Sequence, residues 1–467
     1  MSNFHKLLFL FSLFCFFSCD SSDSNTDKTP EVNQNIGNNV TAVVVTNING
    51  KSTGLAESVG TLPSPMPKEN SIIFHTESTP TTAIRGRHNL TNYSNIYDSN
   101  PPKRFAKTSR GLSQLDNNHT FWALDKNDDP IQINANLEYG SSTSKCLIYV
   151  ADDYSGSFTN WDSIGLFFDQ TVSPRMLTGF GSPTDVDSNG KVIILYYDMD
   201  YPTYLGFFNP IDLFSSEDAN SIGRKSNEME IFYMNYTWGT SSGSPEPDPD
   251  HPEMLRTLPH EFQHMINFGR RIQQGFDQMD TWIDEGLSES AEHFVLNQPG
   301  YSRIDWFKND IDEDIRNGAS LCSWDQKISN YALSYTFMQY LRIHAKSGHS
   351  LYKKIINYSN GSYSGLASVM ENENPYFINF KTIMLAYRMA NLLQQEDNIY
   401  GYKSENSIFN LDVKPPTADL ETLNLKPGGS IAITTDKISV EQAAGSGRGS
   451  NIKLTTVVGG LVIELEK

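Results

Sequence analysis

His260-Glu261-Phe262-Gln263-His264 sets two histidines four residues apart. On a helix that spacing stacks them one turn above another on the same face, so both imidazoles reach one ion. Zinc suits the pair, because it takes nitrogen and carboxylate ligands tetrahedrally, and a catalytic zinc keeps one position for water. Glu261 lies at the edge of that face, where it can take a proton from such a water. The bare pattern arises by chance in something on the order of one chain in a hundred, so its surroundings decide. Pro259 predicts that the helix begins or bends just before the motif. Phe262, Met265, Ile266 and Phe268 supply burial beside the polar face.

Such a site needs a third ligand. A histidine six residues after His264 is absent, since Arg270 stands there and Asn267 replaces the glycine, which excludes the metzincin pattern. Downstream, Trp282-Ile-Asp-Glu285-Gly-Leu-Ser-Glu289-Ser-Ala-Glu292-His-Phe reads as a second helix, capped by Asp280 or Thr281. Glu289, one turn beyond Glu285, can accept a hydrogen bond from the distal nitrogen of a ligand histidine.

HEFQHMINF followed by WIDEGLSE resembles the gluzincin zinc peptidases, and most closely the hyicolysin family of bacterial neutral metallopeptidases. The similarity spans about residues 179–340. It implies Zn2+ as cofactor, Glu285 as the third ligand and Glu289 as the acidic residue behind a histidine. Alone, a helix with Glu285, Glu289 and Glu292 reads as a solvated acidic face. Coupled to the upstream motif, Glu285 and Glu289 read as functional, while Glu292 keeps the solvated reading and His293 a structural one. Gluzincins add a tyrosine or histidine donor for the oxyanion. Tyr331, which opens a tyrosine-led helix, is the candidate here, and Tyr335 competes with it. Glu230-Ile-Phe-Tyr-Met-Asn235 reads as a strand that is either the sheet edge to which an extended substrate adds or an interior strand.

The resemblance implies an endopeptidase acting on a protein or peptide substrate, with Glu261 as general base. The Gly-x-Met-Glu-Asn element of related aminopeptidases is absent, which disfavours a zinc aminopeptidase. A rival of another class is a surface lipoprotein that binds host or matrix proteins, its zinc site incomplete or silent. The presence of every zinc and base position argues against that rival.

The other 467-residue features bound this reading. The net charge of −19 repels phosphate backbones, so nucleic acid is excluded as a partner. Lys6 followed by the apolar run 7–17, too short to span a bilayer, predicts a secretory signal over 1–19. Ser18-Cys19 resembles a lipobox, with phenylalanine in place of the usual leucine. A lipid on Cys19 implies a membrane anchor, and residues 20–39 read as a disordered tether.

The fold expected is multi-domain: an α+β zincin-like metallopeptidase domain over 145–412, flanked by mostly β domains at 40–144 and 413–467. Asp185-Val-Asp187-Ser-Asn189-Gly190 resembles the first half of a calcium loop. Position twelve is Tyr196 rather than glutamate, so an Asn-Gly hairpin turn is the better reading and Ca2+ at Asp185, Asp187 and Asn189 the lesser one. Cys146 and Cys322 are left open between a disulfide and two buried thiols.

Overall fold

A computed structural model describes residues 42–60, 105–106, 116–200, 204–238, 248–434, 448–458 and 461–464. Cys19, the signal-like segment and the tether lie outside the described residues. So does most of the proline-rich stretch before the HExxH helix.

The strands in chain order are β1 (Ala42–Asn47), β2 (Glu57–Ser58), β3 (Asn118–Leu124), β4 (Pro130–Tyr139), β5 (Cys146–Ala151) and β6 (Val192–Tyr197). They continue as β7 (Gly206–Phe208), β8 (Ile231–Asn235), β9 (Asn424–Leu425), β10 (Ser430–Thr434), β11 (Ile452–Val458) and β12 (Leu461–Glu464). The first helices are α1 (Trp161–Phe167), which passes through a π-turn into α2 (Ser173–Gly179), and α3 (Ser216–Ser221). The long pair α4 (Pro252–Gln273) and α5 (Thr281–Leu296) follows. After them come α6 (Tyr301–Asn309), α7 (Ile328–His344), α8 (Ser350–Ile356), α9 (Tyr363–Glu373) and α10 (Phe380–Leu393).

The main sheet runs β3-β4-β5-β6-β8-β7. β5, β6 and β8 are parallel, and antiparallel neighbours close both sides. Leu-Ile-Tyr-Val in β5 and Ile-Ile-Leu-Tyr in β6 are buried throughout, which is why these segments read as unbroken apolar runs rather than alternating ones. One continuous hydrophobic core joins this sheet to the helices from α4 onward.

Pairings cross the boundary expected at 144/145, because β4 pairs with β5. β1 lies between β10 and β11, so strands from both expected flanking β regions share one sheet. The physical reason is plain in β1: all six of its residues are buried, and such a strand needs neighbours on both edges. Those neighbours come from about 400 residues away, a distance no local pattern reports.

Two smaller expectations change, and one left open is decided. The segment 185–190 is no hairpin, since it leads into β6, whose partners are the parallel strands β5 and β8. Its carboxylates serve the loop itself: Gly190 N donates to Asp185 Oδ1 at 3.0 Å and Asn189 N to Asp187 Oδ1 at 3.2 Å. Ca2+ at Asp185, Asp187 and Asn189 therefore has no support. Cys146 and Cys322 are both buried and unlinked. Among the described residues, no helix is long and apolar enough to cross a membrane.

Candidate metal centre

The HExxH helix starts seven residues earlier than Pro259 suggested. His251 caps it, its Nδ1 accepting from Glu253 N at 3.1 Å, and Pro252 occupies the first turn, where no N–H is needed. Pro259 sits inside α4, where tertiary burial carries the helix through it: Leu258, Phe262, Met265 and Ile266 are all in the core. Asp280 is the N-cap residue of α5. Gly286, directly after Glu285, lets α7 close on α5, because a Cβ there would stand 2.9 Å from the Ser334 carbonyl oxygen. That approach brings the tyrosine-led helix against the WIDEGLSE helix, which itself packs on the HExxH helix.

His260 Nε2 stands 3.5 Å from Glu285 Oε2, and His264 Nε2 stands 3.5 Å from Glu285 Oε1. The opposite ring nitrogens are held by carboxylates. His260 Nδ1–H donates to Glu292 Oε1 at 3.0 Å and His264 Nδ1–H to Asp284 Oδ2 at 2.9 Å. In the neutral rings, the form a metal takes, those bonds set the tautomer that turns each Nε2 lone pair toward Glu285. Asn267 Nδ2 donates to the other Asp284 oxygen at 2.6 Å and so braces it.

Glu292 is thus no solvated residue; it is 1% exposed and holds His260. Glu289 does not take the histidine bond expected of it, although its carboxylate lies close to His260 and Glu292. It pairs with buried Arg303, accepting from Nε at 2.9 Å and Nη2 at 2.7 Å. The signal for Glu292 was in the spacing: seven residues after Glu285 is two helical turns, on the same face. Asp284 and Asn267 carried no comparable signal.

Burial pushes the Glu261 carboxyl up to about 7, against the pull of His264 and the Phe208 N–H. Burial opposes a charged His264, yet Asp284 and Glu285 outweigh it and raise its pKa to about 10. Burial, followed by Asp284, Glu261 and Glu289, holds the Glu285 carboxyl well above its usual range despite the pull of His264. The site gathers more carboxylates than cations, an environment that favours a positive ion.

Tyr331 is fully buried, edge-on to Trp324 and with the Arg303 guanidinium 5.0 Å from its ring centroid. Burial and then the Glu285 charge raise its pKa, with Glu261 also contributing, so the hydroxyl shares the field of the site. Tyr335 is engaged elsewhere: its Oη accepts from Gly300 N at 2.7 Å and hydrogen-bonds His293 Nδ1 at 3.0 Å. The strand 231–235 is interior, and the edge belongs to β7, which packs against α4.

No family model matches the chain. Over 318 residues it is 31% identical to the neutral metalloprotease ShpI of Staphylococcus hyicus, a match covering 66% of this chain and 69% of that protein. The chain belongs to the neutral metalloprotease family. A metalloprotease works with a metal, and the donor set can be tested for fit. Four-coordinate zinc with bonds of about 2.0–2.1 Å sets its ligand atoms roughly 3.3 Å apart. The two 3.5 Å separations, one to each Glu285 oxygen, lie close to that spacing, and two imidazoles with one carboxylate are the donors zinc takes. Two other clusters of the described residues in this neutral metalloprotease also group such side chains. One reuses His260 with Glu289 and Glu292. The other, Asp185, Asp187 and Glu230, has no histidine, and Glu230 is spent on the Val186 N–H.

Proposed function

We propose that this chain is a zinc endopeptidase of the gluzincin type, allied to the hyicolysins, in which His260, His264 and Glu285 bind the metal. The observation that carries the reading is the pair of 3.5 Å Nε2-to-carboxylate separations, with both Nδ1 atoms held from behind. Zinc bound there supplies Lewis acidity, polarising a carbonyl and lowering the pKa of water. Glu261 takes the proton of the attacking water and returns it to the leaving amine nitrogen. Tyr331 donates to the developing oxyanion. An extended substrate adds to the outer edge of β7, the strand beside Glu261, through backbone hydrogen bonds.

The chain is exported through its N-terminal signal and held at the membrane by lipid on Cys19, with proteins or peptides as substrates. An N-acetylated unstructured peptide tests the class directly. Cleavage at internal bonds supports an endopeptidase. Cleavage only of the unblocked peptide, one residue at a time, points to an aminopeptidase, and no cleavage of either by the zinc-loaded chain removes the peptidase reading.

A further inference from the structure

A cavity far along the chain from the HExxH motif lies between the β1–β10 sheet and α10, with an empty volume of about 450 Å³ including its mouth. Arg388 and Asn391 both line it. Three residues apart on α10, they sit on one helix face. Arg388 is 7% exposed, and its Nη2 donates to the Gly428 carbonyl at 2.5 Å. Its Nε makes no hydrogen bond, and no carboxylate of the described residues pairs with it. The Tyr387 ring lies 5.2 Å from the guanidinium carbon, and Cys322 and Tyr402 also face its charge. Asn391 is 3% exposed and accepts from the Tyr402 hydroxyl at 2.6 Å, while its Nδ2 bears on Tyr387 without making a hydrogen bond of good geometry.

Buried charges are ordinarily paired and buried donors satisfied. This wall instead offers surplus donors around a guanidinium that no carboxylate of the described residues pairs with. The remaining charges fix the size of the deficit. Arg316 is neutralised by Asp310 at 2.8 Å, and Lys414 Nζ turns to the Asn309 carbonyl at 2.8 Å. Asp412 adds a negative charge at the exposed side of the lining. With Asp310 paired to Arg316 and Asp412 offsetting the charge of Lys414, one positive charge is left in the lining, and a single negative charge on two oxygens matches the guanidinium and the amide.

We infer that this cavity binds a small monocarboxylate, its oxygens taking Arg388 and the Asn391 amide. Acetate is the probe, titrated into the full chain by calorimetry with and without prior chelation, so that binding at a metal is told apart. Asn391→Asp keeps the acceptor for Tyr402 and places a carboxylate beside Arg388, and circular dichroism checks its fold. Expected are one saturable acetate site per wild-type chain, unaffected by chelation, and at least tenfold weaker binding in Asn391→Asp. If that variant does not fold, Val413→Phe, which fills the lining, takes its place with the same expected loss. The proposal is overturned by no saturable acetate binding in the wild type, by undiminished binding in the folded variant, by a site that vanishes on chelation, or by phosphate binding more tightly than acetate.

Discussion

Glu292 Oε1 stands 3.0 Å from Nδ1 of His260, and Asp284 repeats the relationship with Nδ1 of His264 at 2.9 Å. Both carboxylates come from α5, the helix that also carries Glu285, so a single element orients both histidines and faces them with a carboxylate.

From that relationship, Glu292→Gln and Asp284→Asn should each weaken zinc binding by about 10–100-fold. Competition with a chromophoric chelator measures it. Glu289→Gln should act differently: it strands the buried Arg303 charge, so stability falls by roughly 3–5 kcal/mol while zinc affinity changes less. A larger zinc defect in Glu289→Gln than in Glu292→Gln would reverse the assignment.

The two tyrosines of α7 separate by readout. Tyr331→Phe should lower kcat by about 10²–10³ with KM nearly unchanged, as loss of an oxyanion donor does. Tyr335→Phe should retain activity but lose about 1–3 kcal/mol of stability, because the Gly300 N–H is left unsatisfied in the interior. Steady-state kinetics and thermal melts on both variants decide between the hydroxyls.

Asp212 makes stability depend on pH. Burial pushes its carboxyl from 3.8 up to about 7, against hydrogen bonds from Tyr233 and Asn227. A raised folded-state pKa means that its contribution is fully present below pH 4 and is lost as pH rises toward 7. In that window the unfolded chain has released the proton and the folded chain has not. Its share of the slope is about −1.4 kcal/mol per pH unit, on the order of 4 kcal/mol in all. Asp212→Asn should flatten that share, so its stability relative to wild type improves between pH 4 and 7. Denaturant melts across this range test the sign, and a variant that loses ground as pH rises would contradict it.

Because β1 lies between β10 and β11, a chain beginning at residue 40 should keep the small sheet, whereas one beginning at residue 48 should lose it. Amide exchange over 430–434 and 452–458 is the measurement. Equal protection in both chains would show that β1 is dispensable.

Local pattern carried the site further than the architecture. The i,i+4 histidines and the glutamate on the next helix are readable because helical periodicity turns sequence spacing into shared faces. Glu292 was legible by the same rule, yet its charge suggested solvent, and only the packing of α5 on α4 shows it buried. Arg303 could not be assigned to Glu289 from sequence, since their meeting depends on how α6 folds back. The apolar runs of β5 and β6 declared buried strands. The order of the sheet, the interior place of β8 and the union of β1 with β10 and β11 depend on contacts between distant segments, which no local signal encodes.

Zinc content beside casein hydrolysis, measured for wild type, Glu261→Gln and Glu285→Ala, tests the central claim most directly. The expected result is one zinc per chain in wild type and Glu261→Gln, with hydrolysis in the latter reduced by about 10²–10⁴, and loss of both zinc and hydrolysis in Glu285→Ala. Full zinc in Glu285→Ala, or wild-type hydrolysis by Glu261→Gln, would contradict it.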